Sequence, residues 1–233
     1  MTWIKICGIT NLEDALMAVD AGADALGFVF HESSPRKIAP DAAGAITKQL
    51  PSNIEKVGVF GGALGDELID VAWRAGLTAL QIYPAFEVTS CQEQKAYGIN
   101  WFPHRPPKFF LALPAGSLLG GNLKADFSRL SNAPRPNGIY DTVFLDSGTQ
   151  QQPGGTGKPF DWERAAPVVQ EMSKEMKVVI AGGLTSSNVA DAVHTLKPWG
   201  VDVSSGVEKS PGKKDPDKVR AFIAAVKKAD EVG

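Results

Sequence analysis

The chain has 233 residues, 43% of them apolar and 21% charged, and 24 Lys and Arg against 26 Asp and Glu leave a net charge of −2. The cations form no stripe and no basic tail, which argues against nucleic-acid binding, because that depends on clustered cations neutralising phosphates. No basic segment leads into a long apolar run, so neither a signal peptide nor a membrane span is expected; the chain reads as cytoplasmic, with no membrane partner. Cys7 and Cys91 are too few for a disulfide framework, and His31, His104 and His194 are scattered without ligand spacing, so no metal is expected.

Apolar runs of strand length alternate with helix-like segments along the whole chain. Strands are expected near 3–7, 24–30, 55–60, 78–83, 108–113, 141–146, 177–181 and 200–204. Helices are expected near 11–21, 40–50, 65–75, 86–97, 123–131, 161–172, 187–196 and 216–229. The first helix has a polar cap in Thr10-Asn11 and an acidic first turn with Glu13. Ala21-Gly22-Ala23-Asp24-Ala25-Leu26 is echoed by Ala75-Gly76-Leu77-Thr78-Ala79-Leu80, each with a glycine where a left-handed C-cap is needed; Trp199-Gly200-Val201-Asp202-Val203 follows the same pattern more loosely. Residues 98–107, 114–122 and 131–139 are rich in Pro and Gly and read as loops or helix ends, which makes the fifth unit the least regular. Eight alternations fill the chain, implying a parallel sheet, and eight units suit closure: an α/β fold, a single (β/α)8 TIM barrel over residues 1–233.

In such a barrel, chemistry is placed at the C-terminal ends of the strands. The first strand ends at Cys7, which is either a buried inert thiol or a reactive one facing the pocket. Asp146 closes the sixth strand, as a turn former or as a carboxylate at the pocket rim, and a Cys and an Asp across a barrel mouth can act as base and acid on one substrate. Gly182-Gly183 after the seventh strand and Ser204-Ser205-Gly206 after the eighth fit a phosphate cradle. Lys5 shares the inward face of Cys7 and needs a partner if buried; Asp202, on the strand that closes the barrel, is the expected one. Arg36 is a loop guanidinium able to take a carboxylate in two hydrogen bonds.

These residues fall into a known pattern. Lys5-Ile6-Cys7-Gly8-Ile9-Thr10, Ala23-Asp24-Ala25-Leu26-Gly27-Phe28-Val29-Phe30 and Ser34-Pro35-Arg36 resemble the phosphoribosylanthranilate isomerases of tryptophan biosynthesis. So do Leu145-Asp146, Gly154-Gly155-Thr156-Gly157 with Phe160-Asp161-Trp162, Ala181-Gly182-Gly183-Leu184 and Asp202-Val203-Ser204-Ser205-Gly206-Val207-Glu208. The resemblance implies an Amadori rearrangement without a cofactor, on a small phosphorylated aminoaldose, in a monomer or a homodimer. It further implies Asp146 as general acid, Cys7 as general base, Arg36 on the anthranilate carboxylate, and Gly182, Gly183, Ser204, Ser205 and Gly206 on the phosphate. Gly154, Gly155, Thr156 and Gly157 would form a loop that closes over the substrate.

The middle of the chain departs from that pattern. Gln81-Ile82-Tyr83-Pro84 stands where the family commonly has Gln-Leu-His-Gly, and Gly61-Gly62 replaces bulkier polar residues after the third strand. Two rival readings exist. The related aminoimidazole ribotide isomerases use a similar barrel but normally an aspartate at the first strand, where this chain has Cys7. A phosphate-binding barrel that has lost catalysis would rest on the altered middle alone, against the joint presence of Cys7, Asp146 and Arg36.

Overall fold

The computed structural model describes residues 1–61, 66–83, 107–116, 140–147 and 159–232. Eight parallel strands close into a barrel in chain order: β1 (Trp3–Cys7), β2 (Ala25–Val29), β3 (Glu55–Gly61), β4 (Ala79–Tyr83), β5 (Lys108–Pro114), β6 (Tyr140–Asp146), β7 (Lys177–Ala181) and β8 (Gly200–Val203). The helices between and after them are α1 (Leu12–Ala21), α2 (Pro40–Thr47), α3 (Asp66–Arg74), α4 (Trp162–Met172), α5 (Val189–Leu196) and α6 (Pro216–Val232). The helices expected near 86–97 and 123–131 lie outside the described residues. Among the described residues no helix is long and apolar enough to cross a membrane.

Strand alternation divides the side chains into two cores. Ile4, Ile6, Leu26, Phe28, Val178, Ile180, Val201 and Val203 pack outward with helix residues such as Ala15, Val169, Val193 and Phe222. Ala25, Val57, Ala79, Phe110, Phe144 and Val179 fill the barrel itself. Its lower end is plugged by aromatics: Trp3 stacks on Trp199 at 5.0 Å and meets the rings of Phe110 and Phe144 edge-on, each at 6.3 Å. Above the plug the lining changes to Lys5, Cys7, Gln81, Asp146 and Asp202, all buried. The buried charged groups of the barrel interior, Lys5, Asp146 and Asp202, thus stand above the aromatic plug.

The caps follow from local residues. Asn11 caps α1, its side chain accepting from the Asp14 N–H at 2.9 Å. Gly22 (φ 104°) and Gly76 (φ 60°) take the left-handed conformation expected of them. The third echo differs: Lys197 (φ 46°) makes the left-handed turn after α5, and Gly200 is already within β8. Gly200 serves packing instead, since a Cβ there would stand 2.9 Å from the Trp3 carbonyl oxygen and 3.0 Å from its ring. An unanticipated hairpin, β9 (Glu208–Ser210) with β10 (Lys213–Lys214), follows β8 and turns at Pro211-Gly212, where Gly212 has φ 78°.

Helices α2 and α3 meet at a point that admits no side chain. A Cβ on Gly44 would lie 2.2 Å from the Arg74 carbonyl oxygen, and Thr47 nearby donates to the Ala75 carbonyl at 2.8 Å. Gly44→Ala is therefore expected to destabilise the protein by about 2 kcal/mol through overpacking. Gly116→Ala, where nothing among the described residues lies within 4 Å, is expected to leave stability nearly unchanged. Parallel thermal melts of the two variants check this.

Candidate active site

The site is organised from β1 outward. Lys5 and Asp202 are register partners on β1 and β8, and the Lys5 ammonium donates to Asp202 Oδ1 at 2.9 Å with the lysine side chain fully buried. The ion pair expected from the sequence is present. The ammonium also lies 5.3 Å from the centre of the Phe144 ring below it. Burial alone would lower the Lys5 pKa, but the Asp202 carboxylate and the Cys7 sulfur together raise it above its ordinary value.

Cys7 ends β1 and is buried, 7% exposed. Gly27, beside it on β2, makes room: a Cβ there would come within 2.7 Å of the Cys7 sulfur and 3.0 Å of Lys5 Cε. Cys7 and Lys5 can adjoin only because that residue lacks a side chain. Burial pushes the Cys7 thiol above its usual range, Lys5 opposes this by charge and hydrogen bonding, Asp202 adds to it, and Lys214 opposes it again. The positive potential a reactive thiol requires is thus supplied, yet burial outweighs it and the resting group is a thiol.

Asp146 ends β6, 6% exposed, and its Oδ2 accepts a hydrogen bond from the Tyr83 hydroxyl at 3.1 Å. Tyr83 ends β4, and its ring packs in a cluster with Cys7, Val29 and Val59. One side chain therefore packs on the cluster that contains Cys7 and hydrogen-bonds Asp146. Gln81 Nε2 donates to the same hydroxyl at 3.4 Å. Burial, followed by the charges of Asp146, Asp202 and Cys7, raises the Tyr83 pKa well above its ordinary value, so the phenol stays protonated.

Arg36 arrives from the loop after β2. Its Nε and Nη2 donate to Glu208 Oε1 and Oε2 at 2.8 and 2.7 Å, and Lys214 donates to Glu208 Oε1 at 2.9 Å and to the Ser204 carbonyl at 3.3 Å. One edge of the guanidinium fork is given to an internal carboxylate, and the outer edge, Nη1 with the second Nη2 hydrogen, has no partner among the described residues. Burial would raise the Glu208 pKa, but Arg36 and Lys214 hold it below the ordinary carboxylate range. Burial lowers the Lys214 pKa even against Glu208. Gly8 (φ 78°) lets this group approach Cys7: a Cβ there would meet Arg36 Cδ at 2.6 Å and Ser204 Oγ at 3.0 Å.

The glycine and serine loops also converge. Gly182 and Gly183 are left-handed, at φ 82° and 66°. A Cβ on Gly182 would strike Ser147 Oγ at 2.1 Å, and one on Gly206 the Leu184 carbonyl at 1.9 Å, so the loops after β6, β7 and β8 touch one another. Asn188 fixes the glycine turn, donating to the Gly183 carbonyl at 3.0 Å and accepting from the Thr185 N–H at 2.8 Å. Ser204 Oγ is buried and has no hydrogen-bond partner among the described residues, the condition of a hydroxyl awaiting an acceptor. Ser205 is exposed beside it. The expected closing loop, Gly154, Gly155, Thr156 and Gly157, lies outside the described residues.

Sequence reasoning passed over Glu208 and Lys214 as partners of Arg36. The Pro211-Gly212 turn between two short charged runs was the available signal for the hairpin that carries them. It also left Gly61 unexplained: a Cβ there would stand 2.4 Å from the His31 ring, so the glycine makes room for that imidazole.

The model of the family described as "N-(5'phosphoribosyl)anthranilate (PRA) isomerase" matches residues 4–99 and 122–225. The chain is 42% identical over 228 residues to N-(5'-phosphoribosyl)anthranilate isomerase from Geobacter sp. (strain M21), covering 98% of this chain and 99% of the relative. The crystal structure of phosphoribosyl anthranilate isomerase from Thermotoga maritima superposes with a TM-score of 0.76 at 35% identity, over 98% of this chain and all (100%) of that one. A second such structure, solved in complex with reduced 1-(o-carboxyphenylamino)-1-deoxyribulose 5-phosphate, matches with a TM-score of 0.74 at 33% identity, over 98% of this chain and 100% of the other. The chain belongs to the N-(5'-phosphoribosyl)anthranilate isomerase family.

Proposed function

We propose that this chain converts N-(5-phosphoribosyl)anthranilate to 1-(2-carboxyphenylamino)-1-deoxyribulose 5-phosphate, with Asp146 as general acid and Cys7 as general base. The observation that carries this reading is the pairing of two buried groups, a thiol beside an ammonium and a carboxyl beside a phenol, at one end of one barrel. The family relationship supplies the substrate.

In the first step Asp146 gives its proton to the furanose ring oxygen. The C1–O bond breaks, its electron pair staying on the oxygen, and the nitrogen lone pair forms the C1=N bond of an iminium. That cation acidifies the C2 proton, which Cys7 removes as thiolate. Lys5 and the adjacent iminium charge favour that form once the thiol has lost its resting proton to solvent. The C2–H pair becomes the C1=C2 bond and the C=N pair returns to nitrogen, giving an enolamine. The Cys7 thiol then returns its proton to C1 and the Asp146 carboxylate takes the O2 proton, which completes the ketone and restores both groups. No redox cofactor or metal enters this scheme.

Three cations, Lys5, Arg36 and Lys214, stand around the mouth with the carboxyl groups of Asp202, Glu208 and Asp146. With Asp146 protonated as the acid the balance is one positive charge, which suits a substrate bearing a carboxylate and a phosphate. The outer edge of Arg36 is the group offered to the anthranilate carboxylate. Gly182, Gly183, Ser204, Ser205 and Gly206 are offered to the phosphate, where backbone N–H groups and the unpartnered Ser204 hydroxyl would replace its water. The glycine loop from Gly154 to Gly157 is assigned to closure.

Wild-type turnover, followed by loss of substrate fluorescence, is expected to fall at least about a hundredfold in Cys7→Ala and in Asp146→Asn, in keeping with the usual worth of general acid–base groups. Activity surviving in Cys7→Ala would require another base. Thiolate absorbance of wild type minus Cys7→Ser, titrated without substrate, is expected to rise only above about 8.5, the ordinary thiol value, because burial favours the neutral form. Arg36→Lys keeps the charge but loses the planar fork. It is expected to weaken binding of the reduced product analogue about tenfold, and to leave the binding of the same compound without its carboxylate unchanged.

A further inference from the structure

We infer that Tyr83 is a positioning residue for the acid step, fixing which oxygen of Asp146 carries the proton that opens the sugar ring; the inference rests on Asp146 being the acid proposed above. The argument is one of donors and acceptors. A phenol has a single hydrogen. Gln81 Nε2 is a donor aimed at the Tyr83 oxygen at 3.4 Å, so that oxygen accepts there and its own hydrogen is free to turn to Asp146 Oδ2, 3.1 Å away. With the amide in this orientation, which leaves Gln81 Oε1 buried without a partner among the described residues, Gln81 donates to Tyr83 and Tyr83 donates to Asp146.

A protonated carboxyl has one oxygen bearing hydrogen and one that only accepts. With Tyr83 donating to Oδ2, the accepting oxygen is Oδ2 and the proton resides on Oδ1. When that proton passes to the ring oxygen, negative charge spreads onto Oδ2, and the same phenol hydrogen stabilises it in a low-dielectric site. The hydroxyl does not need to move between the two states, so no reorganisation accompanies the transfer. Tyr83 can do this because it stays neutral: it is buried and surrounded by Asp146, Asp202 and Cys7, all of which disfavour a phenolate.

The ring has a second role in the same geometry. It packs against the cluster of Cys7, Val29 and Val59, so the side chain that orients the acid belongs to the same packed group as the base. A histidine ring N–H can donate to a carboxylate in the same sense, which makes it the informative replacement.

The test compares wild type, Tyr83→Phe and Tyr83→His with freshly generated N-(5-phosphoribosyl)anthranilate, each first shown to be folded by its thermal melt. Tyr83→Phe keeps every ring carbon and removes only the hydroxyl. It is expected to lower kcat about tenfold or more, the loss of a hydrogen bond to a charged group, and to change KM less than threefold. The limb of its kcat/KM–pH profile set by Asp146 is expected to move to higher pH, since a lost donor favours the protonated carboxyl. Tyr83→His is expected to recover kcat to within a few-fold of wild type. An unchanged kcat with unmoved limbs in Tyr83→Phe overturns the inference. So does a lowered kcat with unmoved limbs that Tyr83→His fails to restore, since that describes packing alone. Wild type without turnover removes the isomerase reading and this inference with it, whereas active wild type beside an indifferent Tyr83→Phe removes only the role of Tyr83.

Discussion

The buried pair of Lys5 and Asp202 sets the terms for everything above it. An ammonium with no exposure to water survives at the centre of a barrel only if its charge is matched, and removing either partner would strand the other at a cost of about 3–5 kcal/mol. The match is made by adjacent strands in register, β1 and β8, so the closure of the barrel and the neutralisation of Lys5 are the same event. Because Lys5 is charged, the sulfur two residues further along the strand has a cation beside it. Because Gly27 has no side chain, the two can lie side by side.

Around that pair the mouth is a balance of burial against charge. Burial drives the Cys7 thiol, the Tyr83 phenol and the Lys214 ammonium toward their neutral forms. Arg36 and Lys214 keep Glu208 ionised, and Glu208 in turn holds Arg36 by one edge. An arginine held in this way loses little side-chain entropy when its other edge meets a ligand, because its rotamer is already chosen. The cavity is thus arranged before a substrate enters, from side chains whose partners are mostly other side chains of the same mouth.

Much of this was legible in the chain itself. Alternating strand and helix runs indicated the closed barrel, the Gly22 and Gly76 caps fell where a left-handed turn was needed, and Lys5 and Asp202 paired as inward-facing charges on neighbouring strands should. The less legible features share a cause. Gly200 and Gly61 are glycines because Trp3 and His31 occupy the space beside them, and no local pattern distinguishes such a glycine from a turn. The engagement of Arg36 by Glu208 joins residues 172 positions apart, and the span of Tyr83 to Asp146 joins residues 63 apart.

The sequence by itself determined the strand and helix periods and the strand ends at which Cys7 and Asp146 stand, and it singled out Arg36 and two loops rich in glycine and serine. It could do so because periodicity and turn chemistry are local, and because strand ends are where an alternating pattern stops. Only the tertiary structure decided which charges face one another, which edge of Arg36 is taken by Glu208, and that the Tyr83 hydroxyl meets Asp146. Those outcomes depend on strand register, on close approach across the barrel and on the competition between burial and charge, and each is set by residues far apart in the chain.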